Sequence, residues 1–184
     1  MLAGLDLPQT QTTPAERELL ASLLPGAKRV VEIDVFEGFT TRTLAERADA
    51  DAVIYGIDPF LAGRLGIFWG EHIARSYNGR HLASGKIRFI AKFSTEVDDD
   101  VPTPVDLVFI DGDHSLLGIS TDWACWSERV ALGGIIALHD TLLTSDKPRG
   151  DTLGSIEYFR DHIRHDPCFG IVRQRDSLSV LRKG

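Results

Sequence analysis

A short apolar run that breaks into a glycine turn and then a helix constrains this chain more than any other feature. The run is Arg29 to Thr41, R-V-V-E-I-D-V-F-E-G-F-T-T. Val30, Val31 and Ile33 are β-branched, which favours a strand. Gly38 permits a turn, and Thr40 and Thr41 stand where they can cap a helix carrying Leu44 and Ala45. Strand, turn and helix near the start of an α/β chain make a docking place for a nucleotide-type ligand. The turn admits the ligand close to the backbone, and the helix N-terminus offers free N–H groups. Glu32 lies inside the strand, where a carboxylate needs a partner; a bound cofactor is one candidate.

Residues 1–13 read as a loose arm, and Pro14 suits the first turn of a helix reaching about Leu24. Further strands are expected at Ala52–Ile57, Ile87–Ile90, Val105–Ile110 and Ile135–Leu138. Helices are expected at about Thr40–Ala48, Gly70–Leu82, Ser115–Val130 and Ser155–His165, with Gly133-Gly134 capping the third of these. The end of the chain alternates on both sides of Asp176-Ser177, a β-hairpin pattern. The fold class expected is a single α/β domain over 1–184. It is a three-layer α/β/α sandwich with a Rossmann-like, seven-stranded, mostly parallel sheet and a C-terminal antiparallel hairpin. Residues 60–84 are longer than a simple connection. Their aromatics, Phe60, Phe68 and Trp69, suit either a lid and ligand wall or packing on the core. The polar loop from Thr141 to Gly150 is expected to move.

A net charge of −7 disfavours a nucleic-acid partner, since nothing neutralises phosphates broadly. No apolar run has the length of a membrane span, and the first ten residues lack the pattern of a secretory signal. A cytoplasmic enzyme or binding protein is therefore expected. Cys125 and Cys168 form no C-x-x-C pair and read as free buried thiols. The exposed edge of the hairpin and the N-terminal helix are candidate surfaces for a homodimer.

In open parallel sheets, ligands bind at the carboxyl ends of the strands. Here those ends carry Asp34 to Gly38, Asp58, Lys92 with Ser94, Asp111-Gly112-Asp113-His114 and His139-Asp140-Thr141. Acids and imidazoles thus gather along one edge from separate strands. At this point the series resembles a class I S-adenosylmethionine-dependent methyltransferase. V-V-E-I-D-V-F-E-G-F-T-T is similar to that family's first motif, acidic-x-Gly-x-x-x-Gly-x-Ser/Thr. Y-G-I-D-P-F is similar to its second, V-D-L-V-F-I-D-G-D-H to its fourth-strand motif, and G-G-I-I-A-L-H-D to its fifth. The closing hairpin resembles the family's sixth and seventh strands.

The resemblance implies that Glu32 and the turn Phe36, Glu37 and Gly38, with Thr40, hold the methionine end of S-adenosylmethionine. It implies that Asp58 accepts both ribose hydroxyls and that Ser94 lies by the adenine. A residue-level alternative makes Asp58 an N-cap before Pro59. Asp34 departs from the motif, where glycine is usual. Its carboxylate either pairs with the cofactor's ammonium or sulfonium or weakens binding, and Asp34→Gly is expected to tighten it.

Within the family the chain resembles the catechol O-methyltransferase type and related small natural-product enzymes. That implies a magnesium ion on Asp111, His139 and Asp140, with His114 at the position of the base and a small hydroxylated molecule as acceptor. Imidazole suits manganese, iron, nickel or zinc better than magnesium, so another divalent metal enters the reading. In a metal-free version His114 or His139 is the base and Asp111 orients it. Two other readings stand beside this one. One is a metal-dependent hydrolase using Asp111, Asp113, His114, His139 and Asp140. The other is a cofactor-binding domain without activity.

Overall fold

The computed structural model describes residues 7–61, 69–144 and 153–184. Residues 62–68 of the expected lid, Phe68 among them, and residues 145–150 of the expected polar loop lie outside them. The elements run α1 (Pro14–Ser22), β1 (Arg29–Ile33), α2 (Phe39–Arg47), β2 (Val53–Ile57), α3 (Trp69–Tyr77), α4 (Gly79–Ala83) and β3 (Ile87–Ile90). They continue β4 (Val105–Ile110), α5 (Leu116–Arg129), β5 (Val130–Leu138), α6 (Gly154–Asp161), β6 (Phe169–Arg175) and β7 (Leu178–Lys183). One seven-stranded sheet has the order β3-β2-β1-β4-β5-β7-β6. β1 to β5 are parallel, and β7 runs antiparallel to both of its neighbours. The strand order reverses between β1 and β4, the place where such sheets open a crevice.

Helices cover both faces, as the near-continuous apolar strands require. Val31, Ile33, Val108, Ile110, Ile136 and Leu138 pack against Trp123 and Trp126 of α5 and Phe159 of α6. Val30, Leu107, Phe109, Ile135 and Ala137 pack against Leu20 of α1 and Leu44 and Ala45 of α2. α1 opens on a capping box. The Thr13 hydroxyl accepts from the Glu16 N–H, the Glu16 carboxylate accepts from the Thr13 N–H, and Pro14 takes the first turn.

Several expectations need correction. Gly38, at φ 77°, is the N-cap of α2 and no side chain caps that helix; Thr40 and Thr41 are buried inside it. Gly38 is also closed in by protein. A Cβ there would stand 2.6 Å from Asn78 Nδ2 and 3.0 Å from Ala74 Cβ. The helix expected over Gly70–Leu82 is two helices broken at Asn78. Its buried amide donates to Gly38 O and Ala74 O, at 3.0 Å each, and so ties α3 to the first turn. β5 begins at Val130, and Gly133 (φ 77°) lies inside the strand rather than capping a helix. Phe60 is core: it is 5% exposed and packs with Val35, Ala74 and Phe89. Trp69 is exposed. Cys168 is exposed and Cys125 partly buried, so neither thiol is sealed in the core. Among the described residues no helix is long and apolar enough to cross a membrane.

Candidate active site

Side chains alternate across a strand, so register decides which residues past the strand ends meet. Ile33 of β1 pairs with Ile110 of β4, and Ile110 with Leu138 of β5. Asp34, Asp111 and His139 therefore leave the sheet side by side. Glu32, Asp111 and His139 share the parity of Val30, Phe109 and Ala137, which face the α1–α2 layer. Among the described residues, four of the five non-glycine residues with left-handed backbone lie at this same edge: Asp34 (φ 70°), Phe36 (φ 52°), Phe60 (φ 46°) and Asp140 (φ 49°). Strain of this kind gathers where function over-determines the backbone.

The carboxylates crowd each other. Asp58 is buried, and its Oδ2 accepts from the N–H groups of Val35 and Phe36 at 3.0 Å each. Its Oδ1 accepts from the Phe60 N–H at 2.6 Å. A carboxylate has about four acceptor positions, and these three bonds with one from the Asp34 carboxyl fill them. A two-oxygen grip on a ribose would have to displace or share these bonds, which belong to turns and not to a helix N-cap at Pro59. Asp34 stands next to it, open to the cleft yet ringed by protein. Burial first, then the hydrogen bond and charge of Asp58 and the charge of Asp111, push its carboxyl up to about 8. Glu32 is 1% exposed, and its Oε2 has no hydrogen-bond partner. Burial raises its pKa well above the usual carboxylate range, and Asp111, Asp34 and Asp58 add to the rise, against a lowering from nearby Thr41.

His139 is the centre of a second group. Its side chain is 1% exposed and lies between two carboxylates. Nε2 is 3.3 Å from Glu16 Oε2 on α1. Nδ1 is 2.6 Å from Asp111 Oδ1, yet neither of those two buried atoms is aligned for a hydrogen bond. Burial works against charge on the ring, but Asp111 and Glu16 outweigh it and hold the imidazole up at about 10. Glu16 answers in the opposite direction. Burial would raise it, but its bonds from His139, Thr13 and Ser177 bring it down to about 2. His114 completes the group: ligand atoms of Asp111, His114 and His139 lie within 4.8 Å of one another. His114 Nε2 also faces Asp140 Oδ2 at 3.5 Å.

These residues fit a divalent ion. His139 Nδ1 and Asp111 Oδ1, buried and 2.6 Å apart, can both offer a lone pair to one ion once the ring gives up its proton. An imidazole with a carboxylate suits a first-row transition ion better than magnesium. His114 joins Asp111 and His139 in this group, and Asp140 stands beside it, with Oδ1 3.8 Å from His139 Nδ1.

Two clefts meet over the strand ends. One, of about 590 Å³, is lined by Asp34, Asp58, Pro59, Ser94, Gly112, Asp113 and Asp122. The other, of about 710 Å³, is lined by Asp34, Gly112, Asp113, His114 and Glu157. Asp34, Gly112 and Asp113 belong to both. Ser94 donates to the buried Asp122, whose carboxyl burial raises while the Ser94 bond lowers it. Asp113 is occupied by the start of α5, where it accepts from the Ser115 N–H and hydroxyl. Beside Glu32, Phe36 and Thr40, the segment Gln9–Gln11 leaves a cavity of only about 20 Å³. That is room for a water and not for an amino acid. The Glu37 carboxylate accepts from the Gln9 N–H at 2.6 Å, and the Thr40 hydroxyl bonds those of Thr10 and Thr12. The arm is thus packed on the first turn. Glu16, Asn78 and Asp122 were not singled out from the sequence. For Glu16 a signal existed, since T-P-A-E is a capping-box pattern.

The family described as Methyltransferase domain matches residues 31–141, more than half of the chain. A curated relative, the uncharacterized protein R132 of Acanthamoeba polyphaga mimivirus, is 27% identical over 116 residues. The match takes in 60% of this chain and 50% of that protein, so the chain spans about half the length of the relative. Among solved structures, an O-methyltransferase from Bacillus cereus in complex with SAH superposes with a TM-score of 0.71 and 19% identity, over 96% of this chain and 84% of that one. The O-methyltransferase TomG from Streptomyces achromogenes, in complex with SAM, gives 0.66 and 16%, over 91% and 77%. An rRNA methylase from Streptococcus thermophilus gives 0.64 and 14%, over 95% and 99%. At these identities the likeness is one of fold.

Proposed function

Since the chain belongs to the class I methyltransferase family, we propose that it moves the methyl group of S-adenosylmethionine onto a hydroxyl of a small molecule. The observation that carries this reading is the pair of clefts sharing Asp34, Gly112 and Asp113. The nucleoside half of the cofactor takes the cleft with Asp58, Ser94 and Asp122, and the acceptor takes the cleft with His114. The methyl group crosses at their junction. A sulfonium is already activated, so the protein's task is to align donor and acceptor and exclude water. A ribose hydroxyl bonds Asp58 in place of the Asp34 carboxyl.

His114, at the wall of the acceptor cleft with Nε2 toward Asp140, receives the acceptor's proton. Asp111 and His139 hold a first-row divalent ion, which when bound supplies Lewis acidity to the acceptor oxygen. A small acceptor rather than RNA agrees with the net charge of −7. The hydrolase reading loses support because Asp113 is spent on the start of α5.

The test is a thermal shift with S-adenosylhomocysteine. A ligand at a hundred times its Kd adds about 2.7 kcal/mol, or roughly 5–10 °C for a chain of this size. Assays with hydroxylated aromatics and with RNA fragments, reading S-adenosylhomocysteine release, then sort the acceptor class. No shift at millimolar ligand would overturn the assignment.

A further inference from the structure

Glu16 lies upstream of the segment that matches the family, on a helix that a methyl-transfer mechanism does not call for. It is 1% exposed, and three donors and a ring nitrogen of His139 converge on it. Oε1 faces the Ser177 N–H at 2.9 Å and the Ser177 hydroxyl at 2.7 Å. Oε2 faces the Thr13 N–H at 2.8 Å and His139 Nε2 at 3.3 Å. Each oxygen thus takes a backbone N–H, which cannot reverse its polarity. Both oxygens therefore accept, and three such bonds favour the ionised carboxylate, which has no hydrogen to give. A nitrogen facing such an oxygen has to carry hydrogen. Nε2 of His139 is that nitrogen, and when the ring, held charged by its carboxylates, gives up a proton to bind an ion, the lone pair is at Nδ1, the atom 2.6 Å from Asp111 Oδ1.

Two observations point from this ion-paired ring to a metal site. Nδ1 and Asp111 Oδ1 are both buried and neither finds an aligned hydrogen-bond partner, although they nearly touch. His114 brings a third donor atom within 4.8 Å of the same point. A ring held from behind by a carboxylate, with its front nitrogen aimed at convergent donors, has the arrangement that fixes tautomer and direction in metal-binding histidines.

We propose that Glu16 is the positioning residue of the divalent-metal site, holding the Nε2 hydrogen of His139 so that Nδ1 binds the ion beside Asp111. This rests on the metal reading above. It adds that the site is assembled across the fold, since Glu16 is held by α1 and by the β6–β7 turn. The ion that such a site takes is a borderline one, such as cobalt or zinc.

The experiment titrates the full chain with Co²⁺, read by visible absorbance and calorimetry, in wild type, Glu16→Gln, Glu16→Ala and Asp111→Asn. Circular dichroism checks each fold. Wild type is expected to bind, Asp111→Asn to lose binding, and both Glu16 variants to weaken it roughly 10- to 100-fold while folded. Folded Glu16 variants with wild-type affinity would overturn the positioning role and leave the metal reading standing. A wild type that binds no Co²⁺ would overturn both. Should the Glu16 variants not fold, ¹⁵N chemical shifts of His139 in Zn²⁺-loaded wild type decide. Metal on Nδ1 with hydrogen on Nε2 supports the proposal, and metal on Nε2 overturns it.

Discussion

Replacing Asp34 separates two costs that this residue imposes on the fold. The first is backbone strain: at φ 70° an L-residue gives up conformational free energy that glycine does not. For aspartate, which tolerates this region better than most, the cost is about 1 kcal/mol. The second is charge. Burial, the Asp58 carboxyl and Asp111 raise the Asp34 pKa from 3.8 to about 8. An acid raised on folding binds more protons folded than unfolded between those values. Its effect on stability is neutral below about pH 4, grows unfavourable as pH rises, and is complete above about pH 8. The side chain opens onto the cleft, so solvent screens part of this penalty. Asp34→Asn removes the charge, keeps a hydrogen for Asp58 and keeps the strain. Asp34→Gly removes both. The expected result is a Tm gain for both variants that is larger at pH 9 than at pH 6. Glycine should stand above asparagine by roughly 2–4 °C at either pH. Calorimetry at pH 9, where Asp34 is ionised, should then show tighter S-adenosylhomocysteine binding to Asp34→Gly, because a carboxylate no longer faces the cofactor's own. A pH-independent gain would refute the charge argument. Weaker cofactor binding would mean that Asp34 is an ammonium partner instead.

Glu16 carries the opposite sign. Its pKa falls from 4.5 unfolded to about 2 folded, so its contribution is present above about pH 4.5 and is lost as pH falls through about 2. At roughly 1.4 kcal/mol per pH unit, Glu16→Gln should cost about 3 kcal/mol at pH 6 and much less near pH 2, as read by urea denaturation. Ser94→Ala leaves the buried Asp122 carboxyl without its hydroxyl partner and should weaken S-adenosylhomocysteine binding roughly tenfold by calorimetry. His114→Gln should lower kcat by about 10²–10⁴ while cofactor affinity and Tm hold; an unchanged kcat would remove His114 from the chemistry.

The sheet edge was readable because its logic is local. Each of β1, β2, β4 and β5 is a short apolar run, and the acids follow directly on the last apolar residue. Wherever a run stops at the carboxyl edge, a polar residue is delivered to the crevice, and Asp34, Asp58, Asp111 and His139 could be named in that way. What each one does there was less readable, because the deciding partners are backbone groups. Asp58 looked free to grip a ligand. Three N–H groups of the neighbouring turns already hold it, and no spacing rule exposes a bond between residues 22 or 23 positions apart. Gly38 looked like room for a cofactor. The room is taken by Asn78, which reaches it only because α3 stops one residue earlier.

Glu16 shows where local reasoning ends. A glutamate three residues after Thr13 is fully explained by its own helix cap, so nothing in the sequence asks for a second role. That role comes from parity. The same alternation that places Ala137 and Ile135 against α1 also turns His139 toward α1. The first buried carboxylate on that helix then becomes the partner of a ring 123 residues away. One substitution that preserved the cap and moved the carboxylate, Glu16→Asp, would keep α1 helical while pulling its oxygens back by one methylene. Were His139 held by packing alone, that change would leave its ¹⁵N shifts in place. Held by Glu16, the ring should lose its single tautomer, and the carboxylate beyond it, Asp111, should lose the face that the ring now presents.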